Sequence, residues 1–515
     1  MNFLALLGAI ATILGAGSVF LLLLPPATRL NIAEELALSW IFGTGLVSVL
    51  IWTFGFFARA PFLPGLVATV CIAFGLLTMK IRGRSVAPFQ MLRKLRPIEL
   101  FLGIIIAFEI AFIFYFSCVH TLGGDGLLNW EIKARYAYAN AGVLPATYLH
   151  DAGRAASHPE YPLAIPYTEL WLYFWLGDTN QFWAKTIFPL FYAAGIALLV
   201  SISSRLTGKT WPGLLASSLY FFIPQISTET GSAVVGYADF PLSVFYLTAM
   251  GNLLCAGRKH DDGCNDGAFA IYAVAAAMLP WIKREGAILW LIAALCGILV
   301  IWRRKKSPAY LLALLPGLFV IIGWHFYLSQ MHAVSSSDFM PISLAALSAN
   351  IHRLGPIMSM LFLEFTHIEI WSLFWPAAAF AGGFFLYRFR GTRAVMLIAT
   401  IAAPIGIYAG AYIFSSWPDY HDHVALSINR LLMHVAPLAT LMISAVLAPG
   451  QTRSNQPATF PLAASGSSLN VQPLETCASI AGTRPDNVWI DRDAIRSRKP
   501  CLKLWLRLSV AQTGR

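Results

Sequence analysis

Long apolar runs recur along most of the chain, separated by short polar segments. Many of them reach the ~20 residues that a helix needs to cross a bilayer, so the pattern predicts an all-α polytopic membrane protein. Hydropathy places about thirteen transmembrane helices, at residues 3–24, 35–57, 61–80, 98–118, 184–204, 210–226, 237–256, 268–282, 286–302, 308–328, 371–388, 394–415 and 431–448.

Composition supports the membrane interpretation. Of the 515 residues, 57% are hydrophobic and 12% are charged, and the mean hydropathy is +0.66. Soluble domains carry about 25% charged residues, so a large soluble protein with apolar core helices is disfavoured. The seven cysteines form no CxxC pair and have no histidine at metal-binding spacing, which indicates neither a disulfide framework nor a zinc site.

The basic residues set the orientation and the domain boundaries. The net charge of +11 comes largely from clusters between apolar runs, at residues 80–96, 303–306 and 388–393, and this distribution is typical of cytoplasmic loops rather than of nucleic-acid binding. The N-terminus and two long segments, 119–183 and 329–370, are then outside. Residues 1–97 form N-terminal extra helices, 98–448 a main transmembrane domain, and the Ser- and Pro-rich tail 449–515 a poorly ordered cytoplasmic extension.

The first outer segment begins with an acidic residue directly after a predicted span. From Leu127 the pattern predicts an amphipathic helix at the membrane surface, with one face formed by Leu127, Trp130, Ala134, Ala137 and Ala141 and another by Asn129, Lys133, Tyr136 and Asn140. Glu131 and Arg135 form a favourable i,i+4 pair. Asp125 either caps this helix or acts chemically. In the proline-rich segment 157–171 we predict a rigid turn rather than a continuous helix.

Later outer loops carry further charged residues. Asp239 stands at the mouth of a predicted span, where an unpaired carboxylate is costly and therefore a functional candidate. Lys283 and Arg284 lie outside against the usual bias, so they either anchor the helices at the interface or bind an anionic group such as phosphate. The cluster Asp419, His421, Asp422 and His423 would suit a divalent metal, but such loops are more often solvated, and no cofactor is indicated.

The ordered set of motifs resembles a known family. Asp125 leads into WEIKARY, and HPEYPL, GYADFPL, KREG and SINRLLMHVAP follow in that order. This set is similar to bacterial integral-membrane glycosyltransferases of the GT-C fold, nearest to uncharacterised relatives of protein O-mannosyltransferases and lipid A aminoarabinose transferases. The resemblance covers roughly residues 98–448. It departs where many members have a second acidic residue, because Gly126 follows Asp125, and at Arg284, where relatives often have Asn.

The resemblance implies transfer of a sugar from a polyprenyl-phosphate donor to an acceptor hydroxyl, with inversion, at the outer face of a bacterial inner membrane. It assigns Asp125, and less securely Asp239, as the catalytic carboxylates. The acceptor is a lipid, a glycan or a protein. We expect donor phosphate contacts from Lys283, Arg284, Arg430 and Arg135, and sugar or acceptor contacts from Trp130, Glu131, His158, Glu160 and Tyr161.

General chemistry agrees with these roles. A hydroxyl needs a positioned base as it attacks, and a phosphate leaving group needs cations. The main alternative is a transporter or flippase for a lipid-linked saccharide, which would place its charges near the bilayer midplane and is often built from internal repeats that this chain does not show. A non-catalytic subunit of an envelope assembly remains a third hypothesis.

Overall fold

The described part of the chain is almost entirely helical, as the apolar runs predict. The computed structural model describes residues 2–25, 28, 30–82, 96–256, 262–336, 338–388 and 391–448. Within these residues the one β-type pairing is an isolated bridge between Phe339 and Ser415. The predicted tail, 449–515, lies outside the described residues.

The first four helices are long and lie close to their predicted positions. They are α1 (Asn2–Leu22), α2 (Ile32–Phe54), α3 (Phe62–Arg82) and α4 (Pro97–Val119). α1 and α2 cross at Gly17 and Gly43. A Cβ atom at Gly17 would collide with the carbonyl oxygen of Ser39, and one at Gly43 with that of Ile13. Glycine therefore lets the two backbones touch, as in many membrane helix pairs.

The first outer segment folds into short helices. A π-helical turn at Gly126–Glu131 is followed by α5 (Ile132–Ala139), α6 (Ala146–Leu149), a 3₁₀ turn at Ala152–Ser157, α7 (Ala164–Leu176) and α8 (Gln181–Ala184). Residues 158–163 are non-helical, in agreement with the predicted turn, but α7 then begins and includes Pro166. Proline is tolerated there because N–H groups in the first helical turn have no intrahelical partner.

The described residues in the middle of the chain form seven α-helices. They are α9 (Ile187–Thr207), α10 (Trp211–Ser217), α11 (Pro224–Ser227), α12 (Asp239–Ala256), α13 (Asp262–Ile282), α14 (Gly286–Arg303) and α15 (Leu315–Gln330), the last preceded by a 3₁₀ stretch at Pro308–Leu314. The prediction of a continuous span at 210–226 is wrong, because the segment breaks between α10 and α11. Pro224 begins α11, where its missing N–H cannot extend a preceding helix.

The last part of the described chain contains the second outer segment and the final helices. These are α16 (Leu344–Asn350), α17 (Leu354–Phe365), α18 (Ile368–Trp371), α19 (Phe374–Arg388), α20 (Thr392–Ala411), α21 (Tyr420–Met433) and α22 (Ala436–Leu447). α21 and α22 meet at a bend of 47°.

The N-terminal helices belong to the same helical body as the rest. α1 packs on α7, and α2 packs on α7 and α9. Among the described residues, seven helices are long and apolar enough to cross a membrane, or eight if the bent pair α21–α22 is one span. The chain is therefore a polytopic all-α membrane protein, with fewer full-length spans shown than the thirteen predicted, because several apolar helices are short or broken.

Candidate functional site

A cavity lies where several helix ends meet. Asp125 follows the end of α4, Asp239 begins α12, Lys283 lies between α13 and α14, and Arg430 lies near the end of α21. Of the eleven site residues predicted from sequence, eight line this cavity: Asp125, Trp130, His158, Tyr161, Asp239, Lys283, Arg284 and Arg430. The structure therefore brings together side chains from loops far apart in the sequence.

The floor of the cavity is a buried ion pair. The side chain of Asp239 is 1% exposed, and its Oδ1 accepts from Lys283 Nζ at 2.7 Å and contacts His434 Nε2 at 3.0 Å. Glu285 Oε1 lies 3.4 Å from the same Lys283 nitrogen. Burial alone would lower the pKa of Lys283, but the carboxylates of Asp239 and Glu285 outweigh it and raise that pKa above its usual value. Lys283 is thus a fixed cation.

Asp125 has a more open environment. Its side chain is 36% exposed, and Oδ2 pairs with the guanidinium of Arg430. Its carboxylate makes no capping hydrogen bond to the following turn, so the predicted capping alternative is wrong. Its backbone N–H instead donates to the Tyr237 hydroxyl at 3.1 Å. Oδ1 accepts no hydrogen bond from the described residues, and Asp125 is one of the residues that line the cavity.

The π-helical turn after Asp125 changes which side chains are buried. One additional residue in a turn rotates the following side chains by about 100° relative to a regular α-helix. Trp130, Ala134 and Ala137, which the pattern places on one face, are buried, but Leu127 of the same face is exposed and Lys133 is fully buried. Lys133, which the pattern groups with Asn129, Tyr136 and Asn140, is therefore buried together with the other face.

Lys133 supports one wall of the cavity from behind. Its ammonium donates to the backbone carbonyl of His158 at 2.6 Å and lies 5.4 Å from the ring centres of both Trp130 and Tyr161. Burial lowers the pKa of Lys133 to about 7, against a smaller opposing effect of Glu160. The carbonyl that accepts from Lys133 belongs to His158, whose backbone lies in the left-handed region with φ of 44°.

This wall continues through His158, Tyr161 and Arg284. The rings of His158 and Tyr161 stack with centres 4.4 Å apart and an angle of 14° between their planes. The Arg284 guanidinium lies 5.7 Å from the ring centres of Tyr161 and Phe339 and 3.6 Å from Glu160 Oε1. Arg284 is 40% exposed and donates no hydrogen bond to any described residue, so its donors are available to an anion in the cavity.

Glu160 lies behind this wall rather than in it. Its Oε1 accepts from the backbone N–H and the hydroxyl of Ser336, at 3.3 and 3.1 Å, and lies 3.4 Å from His158 Nδ1. Burial alone would raise the pKa of Glu160, but the hydrogen bonds from His158 and Ser336 lower it below its usual value. The predicted contact of Glu160 with sugar or acceptor is therefore indirect in this geometry, through His158 and Arg284.

The cavity lining also contains residues that were not among the predicted site residues. They are Asp338, Phe339, Tyr412, Trp417, His423, Leu426, Ser427 and Leu431. Asp338 Oδ1 accepts from Trp417 Nε1 at 3.1 Å, and Trp417 stacks on His423 with ring centres 4.7 Å apart. Asp338 and Phe339 belong to the second outer segment, where one acid next to one aromatic residue carries no recognisable motif. His423 was visible only as part of the acidic–histidine cluster.

Glu131 and Arg135 lie outside the cavity lining. They form the predicted i,i+4 pair at 2.7 Å, and Glu131 also accepts from Tyr173 at 2.9 Å and from Gln181 at 2.7 Å. Both oxygens of Glu131 are thereby occupied by residues of α5, α7 and α8. This geometry joins the outer helices, and it offers no contact with a ligand in the cavity.

The candidate metal cluster does not assemble among the described residues. They contain no group of three or more His, Cys, Asp and Glu side chains that is placed to hold a metal ion. Asp419 caps α21 through the backbone N–H of His421 at 2.8 Å and also contacts the His421 ring, while His423 faces the cavity.

Comparison with protein-family models, with curated proteins and with solved structures gives no match for this chain. The chemistry of the cavity must therefore be inferred from its residues. They include the partly exposed carboxylate of Asp125, the buried carboxylate of Asp239 bonded to a lysine and a histidine, and one arginine, Arg284, whose donors are available. Glu285 and Asp338 add two further carboxylates to the lining. This set suits proton removal next to an anionic group.

Proposed function

We propose that this protein is a glycosyltransferase of the inner membrane of bacteria, built as a GT-C-like bundle of about thirteen spans. It transfers a sugar, with inversion, from a polyprenyl-phosphate carrier to an acceptor hydroxyl at the periplasmic face. The observation that carries the proposal is Asp125: one carboxylate oxygen is held by Arg430, the other accepts no hydrogen bond from the described residues, and Lys283 and Arg284 line the same cavity.

Asp125 is the general base in this reaction. The acceptor oxygen attacks the anomeric carbon of the donor sugar, its proton passes to Asp125 Oδ1, and the bond from the anomeric carbon to the phosphate oxygen breaks. Because Arg430 holds Oδ2, the carboxylate has a fixed orientation during the transfer. A positioned base of this kind contributes typically about 10²–10⁴-fold to the rate.

The leaving polyprenyl phosphate is stabilised by cations. Arg284 has unused donors, whereas Lys283 is already bonded to Asp239, so Arg284 is the first contact for the incoming phosphate and Lys283 supplies fixed positive charge. Asp239 holds Lys283 and does not itself act as a base, because its side chain is 1% exposed whereas that of Asp125 is 36% exposed. These fixed charges need little reorganisation as the reaction proceeds.

The position of the cavity suits a lipid-linked donor. Four of the charged residues that line it lie at helix ends or between helices: Asp125, Asp239, Lys283 and Arg430. A carrier with a long isoprenoid chain can remain among the helices while its head group reaches such a site. A transporter would be expected to hold its key charges near the middle of its spans. Enzyme chemistry therefore fits this arrangement better than transport.

Replacing Asp125 by Asn tests the proposal. The assay follows release of polyprenyl monophosphate from a panel of synthetic polyprenyl-phosphate hexoses and pentoses, in membranes that supply the acceptor. We expect Asp125→Asn to lower release by about 10²–10⁴-fold, because the amide cannot accept the proton. The ion pair of Asp125 and Arg430 is partly exposed, and its loss should change stability by about 1 kcal/mol.

Asp178→Asn is the matched control, since Asp178 is exposed and outside the cavity lining. It should release polyprenyl monophosphate at the wild-type rate. Full activity of Asp125→Asn would contradict the assignment of the base. No release by the wild-type protein from any carrier in the panel would contradict the proposed reaction itself.

A further inference from the structure

Asp338 differs from the other carboxylates that line the cavity. Those three each lie beside a lysine or an arginine, and they are Asp125, Asp239 and Glu285. Among the described residues, no lysine or arginine nitrogen lies within 4.0 Å of the Asp338 carboxylate, and its Oδ2 is 3.7 Å from Nδ1 of His158. Its Oδ1 is held by the neutral indole N–H of Trp417 instead of by a cation.

The position of Asp338 is fixed by a loop far along the chain, directly before α21. The backbone carbonyl of Asp338 accepts from the N–H of Ser416 at 3.0 Å, and the N–H of Met340 donates to the carbonyl of Phe414 at 2.7 Å. The bond from Trp417 Nε1 to Oδ1, at 3.1 Å, holds the side chain from the same loop. The carboxylate is therefore positioned before any ligand enters the cavity.

This carboxylate can accept further hydrogen bonds. It is 21% exposed and lines the cavity, and a carboxylate offers about four acceptor positions, of which Trp417 fills one. Burial alone would raise the pKa of Asp338, but Ser336 and Trp417 outweigh it and lower that pKa below its usual value. An ionised carboxylate only accepts, so it selects a ligand group that donates a hydrogen bond.

Aromatic rings accompany Asp338 in the lining. Trp417 stacks on His423 with ring centres 4.7 Å apart and 14° between the planes, and the ring of Phe339 lies 5.0 Å from that of His423. Aromatic rings combined with a few placed polar groups are typical of small-molecule sites. A sugar fits both features, because its hydroxyls donate hydrogen bonds and its C–H groups pack against rings.

Arg284 places these residues next to the contact for the donor phosphate. Its guanidinium lies 5.7 Å from the ring centre of Phe339, the neighbour of Asp338 in the chain. In the proposed reaction Arg284 is the first contact for the incoming phosphate. The anomeric carbon of the donor is bonded to that phosphate, so the donor sugar ring lies close to Arg284 and within reach of Asp338.

On the basis of the proposed transfer reaction, we propose that Asp338 is a specificity-determining residue for the donor sugar. Its carboxylate accepts a hydrogen bond from one ring hydroxyl at a carbon other than the anomeric carbon. The substrate class is therefore a sugar with a free hydroxyl at that position, and a sugar that carries hydrogen or a carboxylate there is rejected. A site that pairs a polar group with a substrate hydroxyl discriminates strongly, because an analogue without the hydroxyl leaves that group unpaired.

Monodeoxy donors test which hydroxyl is recognised. The probes are the polyprenyl-phosphate sugar that the wild type uses best and its monodeoxy analogues. The measurement is kcat/KM for release of polyprenyl monophosphate by the full chain, in membranes that supply the acceptor. We expect loss of one particular hydroxyl to lower the wild-type kcat/KM by about 10- to 100-fold, the effect of one hydrogen bond to a charged group.

Asp338→Asn assigns this selectivity to Asp338. The amide keeps an oxygen that accepts from Trp417, but it loses the negative charge that faces the sugar. We expect kcat/KM to fall by about 10- to 100-fold for the parent sugar and to stay unchanged for the analogue that lacks the recognised hydroxyl. Comparing variant and wild type on the same analogue cancels differences in intrinsic reactivity. A purely structural defect would lower kcat/KM for all donors equally.

A second variant and a control accompany this test. Trp417→Phe keeps an aromatic ring and removes the N–H that holds Asp338 Oδ1, so it should show the same selective loss with a smaller size. It keeps the proposal testable if Asp338→Asn does not fold. Asp178→Asn changes an exposed carboxylate outside the cavity lining and should retain the wild-type selectivity among the donors.

The outcomes separate this inference from the proposed function. Equal use of all monodeoxy donors by the wild type would overturn the role of Asp338 and leave the proposed reaction intact. The same conclusion would follow if Asp338→Asn or Trp417→Phe lowered kcat/KM equally for every donor, or if both left it unchanged for every donor. No release by the wild-type protein from any carrier would overturn both proposals.

Discussion

Two buried lysines near the cavity, one behind a wall and one in the floor, have opposite electrostatic environments. Lys133 is fully buried and its hydrogen-bond partner is a neutral carbonyl, that of His158. Lys283 is 4% exposed and lies between the carboxylates of Asp239 and Glu285. Burial lowers the pKa of Lys133 to about 7, whereas the pKa of Lys283 is raised because its carboxylate neighbours outweigh the effect of burial.

The difference shows what each wall contributes. The Lys133 wall is held by aromatic rings and one backbone hydrogen bond, so it fixes the shape of the cavity around His158 and Tyr161. The Lys283 floor is held by charge, so it fixes the electrostatic field where the donor phosphate would lie. Lys133 and Lys283 are similarly buried, but only Lys283 has carboxylate neighbours that keep its positive charge in place.

The largest effect should come from removing the charged partner on the floor. Lys283→Met leaves the carboxylates of Asp239 and Glu285 buried without their ammonium, and we expect it to lower the free energy of unfolding by about 3–5 kcal/mol. Lys133→Met removes one hydrogen bond together with a poorly matched buried charge, so at neutral pH it should cost no more than about 1 kcal/mol of stability. Unfolding in mixed detergent micelles measures both.

The double variant Lys283→Met with Asp239→Asn sharpens this prediction. Its loss in free energy of unfolding should be smaller than the sum of the losses in Lys283→Met and Asp239→Asn. The reason is that Asp239→Asn removes one of the buried charges that Lys283→Met leaves without a partner. Equal losses of stability in Lys283→Met and Lys133→Met would show that the two lysines do not differ as described.

A smaller effect should appear in the dependence of stability on pH. The pKa of Lys133 is about 7 in the folded protein and about 10.4 in an unfolded chain. Between these values the unfolded state binds the proton and the folded state does not, so stability rises with pH by up to about 1.4 kcal/mol per unit. Below about pH 7 both states are protonated and this contribution is constant.

Thermal unfolding of the wild type and Lys133→Met between about pH 7 and about pH 9 measures this contribution. The rise attributed to Lys133 should disappear in the variant and persist in Lys80→Met, which changes an exposed lysine. Identical pH profiles for the wild type and Lys133→Met would contradict the shifted pKa.

The smallest effect should come from Arg284. Since its guanidinium is 40% exposed and donates no hydrogen bond to the described residues, Arg284→Gln should leave stability within about 1 kcal/mol of wild type. We expect the KM for the polyprenyl-phosphate donor to rise about tenfold, because one charge-assisted contact to phosphate is lost. Steady-state kinetics of donor use checks this, and an unchanged KM would remove Arg284 from the donor site.

The runs of apolar residues in the sequence were sufficient to predict most of the helices. The predicted runs at 3–24 and 98–118 match α1 and α4 closely, because a helix satisfies its backbone hydrogen bonds within its own segment and an apolar surface suits lipid. Prediction from these runs failed where a single residue changes the backbone geometry. The π-helical turn at Gly126–Glu131 separates the exposed Leu127 from the buried face that includes Trp130, and the proline at 224 divides a run that hydropathy treats as continuous.

The sequence by itself determined that this chain is a helical membrane protein and which charged residues stand at the ends of its apolar runs. Only the tertiary structure decided which of them meet. Asp125 pairs with a residue 305 positions away, and Asp239 with one 195 positions away. Glu131 and Arg135, equally prominent in the sequence, bond to each other outside the cavity. Such pairings depend on how distant helices pack. A buried charge is stable only beside a counter-charge, and the packing determines which counter-charge is close enough.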